Sequence, residues 1–264
     1  MHKLLFGMLA IGALFTGNSW CATPTTITVM SFNIRHCEGM DGKVDVERIA
    51  KFIRDANPDL VALQDVDRGV ERTARRDIPA ELARLTSMEV FFGKNIEHQG
   101  GDYGNAVLSR YVIKERSNTP LTMIGEGEQR GVLRVVVSIP ISDKSARDVV
   151  FIATHLDHRE SEAERIISVS ELIELTKQAT RLPTIVAGDF NALPNSAVHK
   201  KMQRSLKDVW EMVGSGPGLT SPADAPVERI DYVWVSHKIK PIRMQVLPTL
   251  ASDHFAVISQ LTIP

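Results

Sequence analysis

With 264 residues, 43% hydrophobic and 24% charged, the chain has enough material for one large domain with a well-filled core. Its formal net charge of -1 supplies no global field for nucleic acid or anionic membrane. That argues against a non-specific DNA binder, although a local basic cleft stays open.

The N-terminus reads as an export signal, residues 1–22. Lys3 supplies charge, residues 4–15 an apolar stretch, and residues 16–22 a polar tail of mostly small residues. The stretch is shorter than the ~20 residues a bilayer span needs, and no later segment qualifies as a span. Cleavage is expected near residues 19–22, giving a periplasmic or secreted protein. A lipoprotein anchor at Cys21 is the lesser alternative, because bulky Trp20 stands where a lipobox takes a small residue. After cleavage only Cys37 remains, so the core rather than a disulfide must carry stability.

Strand-like and helix-like runs then alternate. Residues 26–34 are β-rich. Residues 44–55 place Val46, Ile49, Ala50 and Ile53 on one helical face, and Asn57-Pro58 stops that helix. Strands follow at 60–63, 90–92, 103–109, 112–117, 132–139 and 149–154, with a helix at 78–87. The longest helical pattern covers 160–180 and breaks at Pro183. A strand at 184–187, a helix at 198–206, a Gly/Pro-rich loop at 214–226 and strands at 230–235, 242–247 and 255–262 complete the chain. About ten strands and three or four helices predict one α/β domain over residues 24–264, two packed sheets with outer helices.

Several apolar strands run directly into polar groups. VMSFNIRH ends in Asn33, Arg35 and His36; LVALQDVD in Asp65 and Asp67; VFIATHLDH in His155, Asp157 and His158; TIVAGDFN in Asp189 and Asn191. ERIDYVWV opens with Arg229 and Asp231, and ASDHFAVI with Asp253 and His254. Burying one such group unpaired costs roughly 2–7 kcal/mol. A single instance fits a cap or an Asx turn. Six instances predict one shared cleft beyond the strand ends. In GDFN, alternation points Asp189 and Asn191 one way and Phe190 into the core, while Gly188 permits a close backbone approach. A set rich in carboxylates and amides favours Mg²⁺, Mn²⁺ or Ca²⁺ over zinc.

FNIRH, LVALQDVD, YGNAVLSR, THLDH, AGDFNA, RIDYVWVS and SDHFAV, in this order, resemble the endonuclease/exonuclease/phosphatase superfamily. It includes pancreatic-type deoxyribonuclease, abasic-site endonucleases, bacterial sphingomyelinases and inositol polyphosphate 5-phosphatases. The similarity covers about residues 26–262. It implies a four-layer α/β sandwich, two packed mixed β-sheets flanked by helices, and metal-dependent hydrolysis of phosphate esters. It further implies that Asn33, Asp65 and Asp253 serve the metal site. Asp189 would orient or deprotonate water, and Asn191 would bind phosphate. His254, held by Asp231, would contact the scissile phosphate or shuttle a proton. His155 would stabilise phosphoryl oxygens or protonate the leaving group. Tyr103, Asn105 and Arg130 fall where members place phosphate contacts.

One position departs from the family pattern. Gln64-Asp65-Val66-Asp67 stands where Gln-Glu-Val-Asp is usual. The shorter side chain sets its carboxylate roughly 1.3–1.5 Å further back, against a tolerance of ~0.2 Å in metal distances. An advanced backbone, a bridging water or help from Asp67 would compensate. Weaker Mg²⁺ binding, or a preference for larger Mn²⁺ or Ca²⁺, is the expectation. Arg68, Arg72, Arg75 and Arg76 follow the motif and either rim the cleft for an anionic substrate or form a solvated loop.

The expected protein is an exported, monomeric phosphodiesterase for a small or lipid-linked ester, with a secreted nuclease as runner-up. A non-catalytic phosphate-binding module on the same fold is a further rival. A zinc hydrolase of the metallo-β-lactamase kind is opposed by Ala153, where its His-x-His-x-Asp-His motif needs the first histidine.

Overall fold

The computed structural model describes residues 25–142, 145–178 and 182–264. The expected export signal and Cys21 lie outside these residues. Strand β1 (Thr25–Asn33) leads through helix α1 (Val46–Ala56) to β2 (Leu60–Arg68). Asp45 caps α1 by accepting the Arg48 N–H, and Asn57 ends it in a left-handed conformation. Helix α2 (Ile78–Thr86) precedes β3 (Glu89–His98), β4 (Gly101–Ser109), β5 (Ile113–Pro120), β6 (Gly131–Ser142) and β7 (Ser145–His155). Helix α3 (Ala163–Gln178) connects to β8 (Thr184–Asp189). Then come α4 (Ala197–Gln203), β9 (Lys207–Asp208), α5 (Val209–Val213), β10 (Asp231–Val235), β11 (Lys240–Leu247) and β12 (Ala256–Ile263).

The strands form two six-stranded mixed sheets, ordered β11-β12-β1-β2-β4-β3 and β5-β6-β7-β8-β10-β9. Each contains one parallel pair joined by a helix, β1–α1–β2 and β7–α3–β8; the other pairings are antiparallel. Successive residues of the central strands face opposite layers. Val29 and Ala62 meet Val135, Phe151 and Ala187 between the sheets. Met30 and Phe32 pack on Ile49 and Ile53 of α1. On the far side, Ile152 and Val186 pack on Val169 and Leu172 of α3. The result is a helix–sheet–sheet–helix sandwich, as expected. Strands buried on both faces read as near-continuous apolar runs rather than clean alternation.

The four residues assigned to one face of α1 are the ones it buries. The expected strand at 90–92 is longer, because β3 pairs with β4 along its length across a bulge between Lys94 and Ile96. Strand β9 and helix α5 escape a pattern reading because they span two and five residues. They are anchored by Asp208, whose carboxylate accepts the Trp210 N–H at 2.8 Å, His199 Nε2 at 3.0 Å and Arg229 Nη1 at 2.8 Å. Cys37 is a buried free thiol. Among the described residues no helix is long and apolar enough to cross a membrane.

Candidate active site

Both parallel pairs end at the same mouth. Asn33 closes β1, His155 closes β7 and Asp189 closes β8. Backbone register does much of the assembly. His155 lies opposite Asp189 in the β7–β8 pair, and Asp231 lies opposite Asp189 in the β8–β10 pair. Directly opposed residues share a face, so three adjacent strands present Asp231, Asp189 and His155 as one row. Gly188 lets that row close up, because a Cβ there would stand 2.1 Å from the Thr154 carbonyl oxygen.

Asp189 is buried at the centre. Its Oδ1 accepts the Asn191 N–H at 2.9 Å and its Oδ2 accepts Asn33 Nδ2 at 3.2 Å. Nε2 of His155 and of His254 approach the same Oδ2, at 3.4 and 3.8 Å. Each imidazole has its own carboxylate. His254 Nδ1 lies 3.0 Å from Asp231 Oδ2, and His155 Nδ1 lies 2.8 Å from Asp65 Oδ1. Burial by itself would lower the His254 pKa. The carboxylates of Asp231, Asp189 and Asp253 outweigh it and raise the value to about 10. In the metal-free protein His254 is therefore an imidazolium at neutral pH.

His155 differs. The Asn191 amide nitrogen donates to the Leu156 carbonyl at 3.0 Å, which fixes the orientation of the amide, and also points at His155 Nε2 at 3.1 Å. Assigned from this network, Nδ1 carries the proton toward Asp65 and Nε2 accepts. In this arrangement His155 orients Asn191.

Asp65 sits in a bulge of β2, between Leu63 and Val66, with φ of 58°. Asp enters the left-handed region more readily than Glu, since its short side chain bonds locally. The Tyr103 hydroxyl donates to Asp65 Oδ1. Burial opposes ionisation of Asp65, yet His155, Tyr103 and Arg130 hold its carboxyl well below the usual carboxylate range. Burial, followed by the Asp65 charge, pushes the Tyr103 phenol well above its ordinary value, so the phenol keeps its proton. Further left-handed residues cluster at this mouth: Arg35, His36 and Cys37 after Asn33, and Asn191 after Asp189. Left-handed residues also occur as helix C-caps at Asn57, Ala74 and Ser87, whereas those at the mouth help to aim side chains.

Arg130 is only 4% exposed. Its Nη1 lies 3.3 Å from His155 Nδ1, and its Nη2 lies 3.0 Å from both His158 Nδ1 and Glu128. Its Nε is buried without a hydrogen-bond partner among the described residues. Asn105 is not joined to the row. It donates to the Gly131 carbonyl at 3.5 Å and so anchors the start of β6 beside Arg130. Asp253, with a side chain 38% exposed, stands at the rim 3.6 Å from Arg35 Nε. Its neighbour Ser252 donates to the Asn33 backbone oxygen at 2.7 Å. Asp157 turns away to Arg159. Ser252 and Glu128 were not singled out in the sequence, since nothing local separates them from ordinary loop residues.

One alternative for the segment after Asp65 needs correction. Asp67 does not assist at the mouth. It is fully buried, and its two oxygens are bound by Arg72 Nε and Nη2 at 2.8 Å. Of the two readings for the arginines, the charged loop agrees with the pairing found. Arg68 pairs with Asp102, Arg72 with Asp67, Arg75 with Glu71, and Arg76 with Glu81 and Glu47, and the side chains of Arg68 and Arg75 stay 43% and 62% exposed.

Asp189, Asp231 and His254 bring ligand atoms within 4.8 Å of one another. Of the residues expected to serve a metal, Asn33 turns its amide nitrogen to Asp189 while its oxygen accepts the Arg35 N–H, Asp65 is linked to the group through His155, and Asp253 stays at the rim. The carboxylates of the group are the part that suits a hard divalent cation.

The sequence pattern of the Endonuclease/Exonuclease/phosphatase family matches residues 30–254. The chain is 29% identical over 197 residues to the uncharacterized protein YbhP of Escherichia coli K12, covering 70% of this chain and 74% of that protein. A solved endonuclease/exonuclease/phosphatase from Beutenbergia cavernae is 25% identical with a TM-score of 0.70, covering 90% of this chain and 72% of the other. A family protein from Bacteroides thetaiotaomicron superposes with a TM-score of 0.77 at 20% identity, covering 92% and 99%; at that identity the likeness concerns the fold alone. With residues 30–254 matched, the chain belongs to the Endonuclease/Exonuclease/phosphatase family, whose members are phosphoester hydrolases.

Proposed function

We propose that the chain is an exported, divalent-metal-dependent phosphodiesterase acting on a small or lipid-linked phosphate ester. The observation that carries this reading is the convergence of two imidazoles, each backed by its own carboxylate, on the buried Asp189. Asp189 is fixed by Asn191 and Asn33 and is the carboxylate placed to orient a water molecule and take its proton. His254, its imidazolium favoured by the carboxylates around it, would donate to a phosphoryl oxygen, as would the partly unpaired guanidinium of Arg130. Asn33, Asp65 and the neighbouring carboxylates would hold the divalent ion. When bound, it would offset charge developing on the attacked phosphate.

The formal net charge of -1 weighs against a long polyanion such as DNA. A groove of about 570 Å³ between α1 and residues 249–251 is lined by Met40, Phe52, Leu250 and Ala251 together with Asp41, Arg48, Lys51 and Asp55, and none of the residues of the acid–imidazole row lines it. Export rests on residues 1–22, and a mature N-terminus beginning near residues 20–23 of protein recovered outside the cytoplasm checks it.

The deciding experiment is an activity panel with Mg²⁺, Mn²⁺ and Ca²⁺. Bis-p-nitrophenyl phosphate, sphingomyelin, phosphatidylinositol, inositol phosphates and plasmid DNA are compared. Faster turnover of a small or lipid ester than of DNA is expected. Preferred DNA cleavage would make the protein a nuclease, and binding without hydrolysis of any substrate would make it a binding module.

Asp65 stands in the bulge of β2 with a side chain one methylene shorter than the glutamate of the family pattern. Asp65→Glu is therefore expected to lower the Mg²⁺ concentration for half-maximal activity several-fold. An unchanged midpoint would show that Asp65 is not a length-limited ligand.

A further inference from the structure

Asp67 is fully buried, and among the described residues the charged group in hydrogen-bond contact with it is Arg72, which grips it through two parallel bonds of 2.8 Å while keeping its own side chain 31% exposed. Burying that carboxylate is costly, and one partner that still reaches water offsets the cost only in part. Its surroundings suggest another use. In the β2–β4 pairing Asp67 lies directly opposite Tyr103. The Arg72 guanidinium carbon stands over the Tyr103 ring, 5.4 Å from its centroid. The Tyr103 hydroxyl in turn donates to Asp65. The two aspartates of the QDVD stretch have different partners, Asp65 the Tyr103 hydroxyl and His155, Asp67 the Arg72 guanidinium.

We propose that Asp67 and Arg72 form a positioning pair that acts through Tyr103 on the Asp65 carboxylate. Asp67 locks the guanidinium plane, the plane holds the phenol ring from one side, and the phenol fixes Asp65 in its bulge. Neither Asp67 nor Arg72 touches the reacting atoms. A lysine at position 72 keeps the charge but loses the planar fork that matches a carboxylate. The inference rests on reading Asp65 as part of the hydrolytic and metal-holding group.

The test is a double-mutant cycle between Arg72→Gln and Tyr103→Phe, read by Mn²⁺ affinity from electron paramagnetic resonance and by kcat on bis-p-nitrophenyl phosphate. Partners that orient a metal-holding side chain typically contribute 10–100-fold in affinity or activity. Each single change is expected to weaken Mn²⁺ binding by at least about tenfold. In the Tyr103→Phe background, Arg72→Gln should add less than about twofold, because the route is already cut. Arg72→Lys should fall between wild type and Arg72→Gln. Equal effects of Arg72→Gln in both backgrounds, or unchanged Mn²⁺ affinity in a folded Arg72→Gln protein, would overturn the proposal.

Arg72→Gln leaves Asp67 buried without its partner and can unfold the chain. The uncharged pair Asp67→Asn/Arg72→Gln is therefore run beside it. It should fold and still bind Mn²⁺ about tenfold more weakly, and wild-type affinity in it overturns the proposal. Asp189→Asn separates the two readings. If it abolishes hydrolysis while the position 72 variants bind and turn over normally, this inference fails alone. If it leaves hydrolysis intact, the proposed function itself falls.

Discussion

His254→Ala is expected to lower kcat on bis-p-nitrophenyl phosphate by roughly 10²–10⁴-fold, the range a positioned proton-transfer group contributes. The imidazole sits between Asp231 at 3.0 Å and Asp189 at 3.8 Å, so its loss removes a donor and brings unrelieved repulsion between two buried carboxylates. Asp231 acts through the ring. Asp231→Asn alone should therefore reduce kcat, yet add less than about threefold once His254 is gone, since groups working as a unit are strongly non-additive. Removing the ring leaves Asp231 without its imidazole, so the folded fraction is checked by circular dichroism and His254→Gln is assayed in parallel. A folded His254→Ala protein with more than a tenth of wild-type kcat would remove the imidazole from the mechanism.

Asp208→Ala is expected to destabilise the fold by roughly 3–5 kcal/mol, the usual effect of breaking a buried ion pair from one side. Asp208 is buried, and its loss leaves the Arg229 guanidinium and the His199 ring without their acceptor and uncaps α5. Urea unfolding at constant ionic strength measures the change, and a loss below 1 kcal/mol contradicts it. The sign of the pH dependence follows from the same contacts. Burial works against the Asp208 charge, but His199 and Arg229 outweigh it and depress the carboxyl pKa in the folded protein. Its stabilisation is thus complete above the unfolded value of about 3.9 and fades as pH falls through the lower folded value. The gap between wild type and Asp208→Asn should accordingly narrow in acid, and a gap that widens there reverses the assignment.

The mouth of this protein is legible in sequence because its polar groups interrupt otherwise apolar strands. Asp189, Asp231 and His155 each close or open a buried run, and burial without partners would be too costly to recur by chance. Periodicity likewise identifies α1, whose buried face is the one the 3.6-residue repeat selects. What cannot be read locally is register. The bulge at Asp65 shifts the β2–β4 pairing, and no residue in LVALQDVD announces it. The arginines after that motif look available until the fold supplies Asp102, Glu71, Glu81 and Asp67 as partners. Asn105 and Arg130 are distant in sequence from what they serve; only the pairing of β6 with β7 brings Arg130 to His155. Short elements such as β9 are shorter than the repeat that would reveal them.

The row of Asp231, Asp189 and His155 is spaced by strand separation, about 4.8 Å per step, rather than by the length of any connecting segment. That row is therefore tied to the part of the molecule least able to drift. His254 and Asn191, which complete the group, sit on loops just outside the strands and are held to the row through Asp231 and Asp189, so a change of length in those two loops would reach the row while one elsewhere on the rim would not.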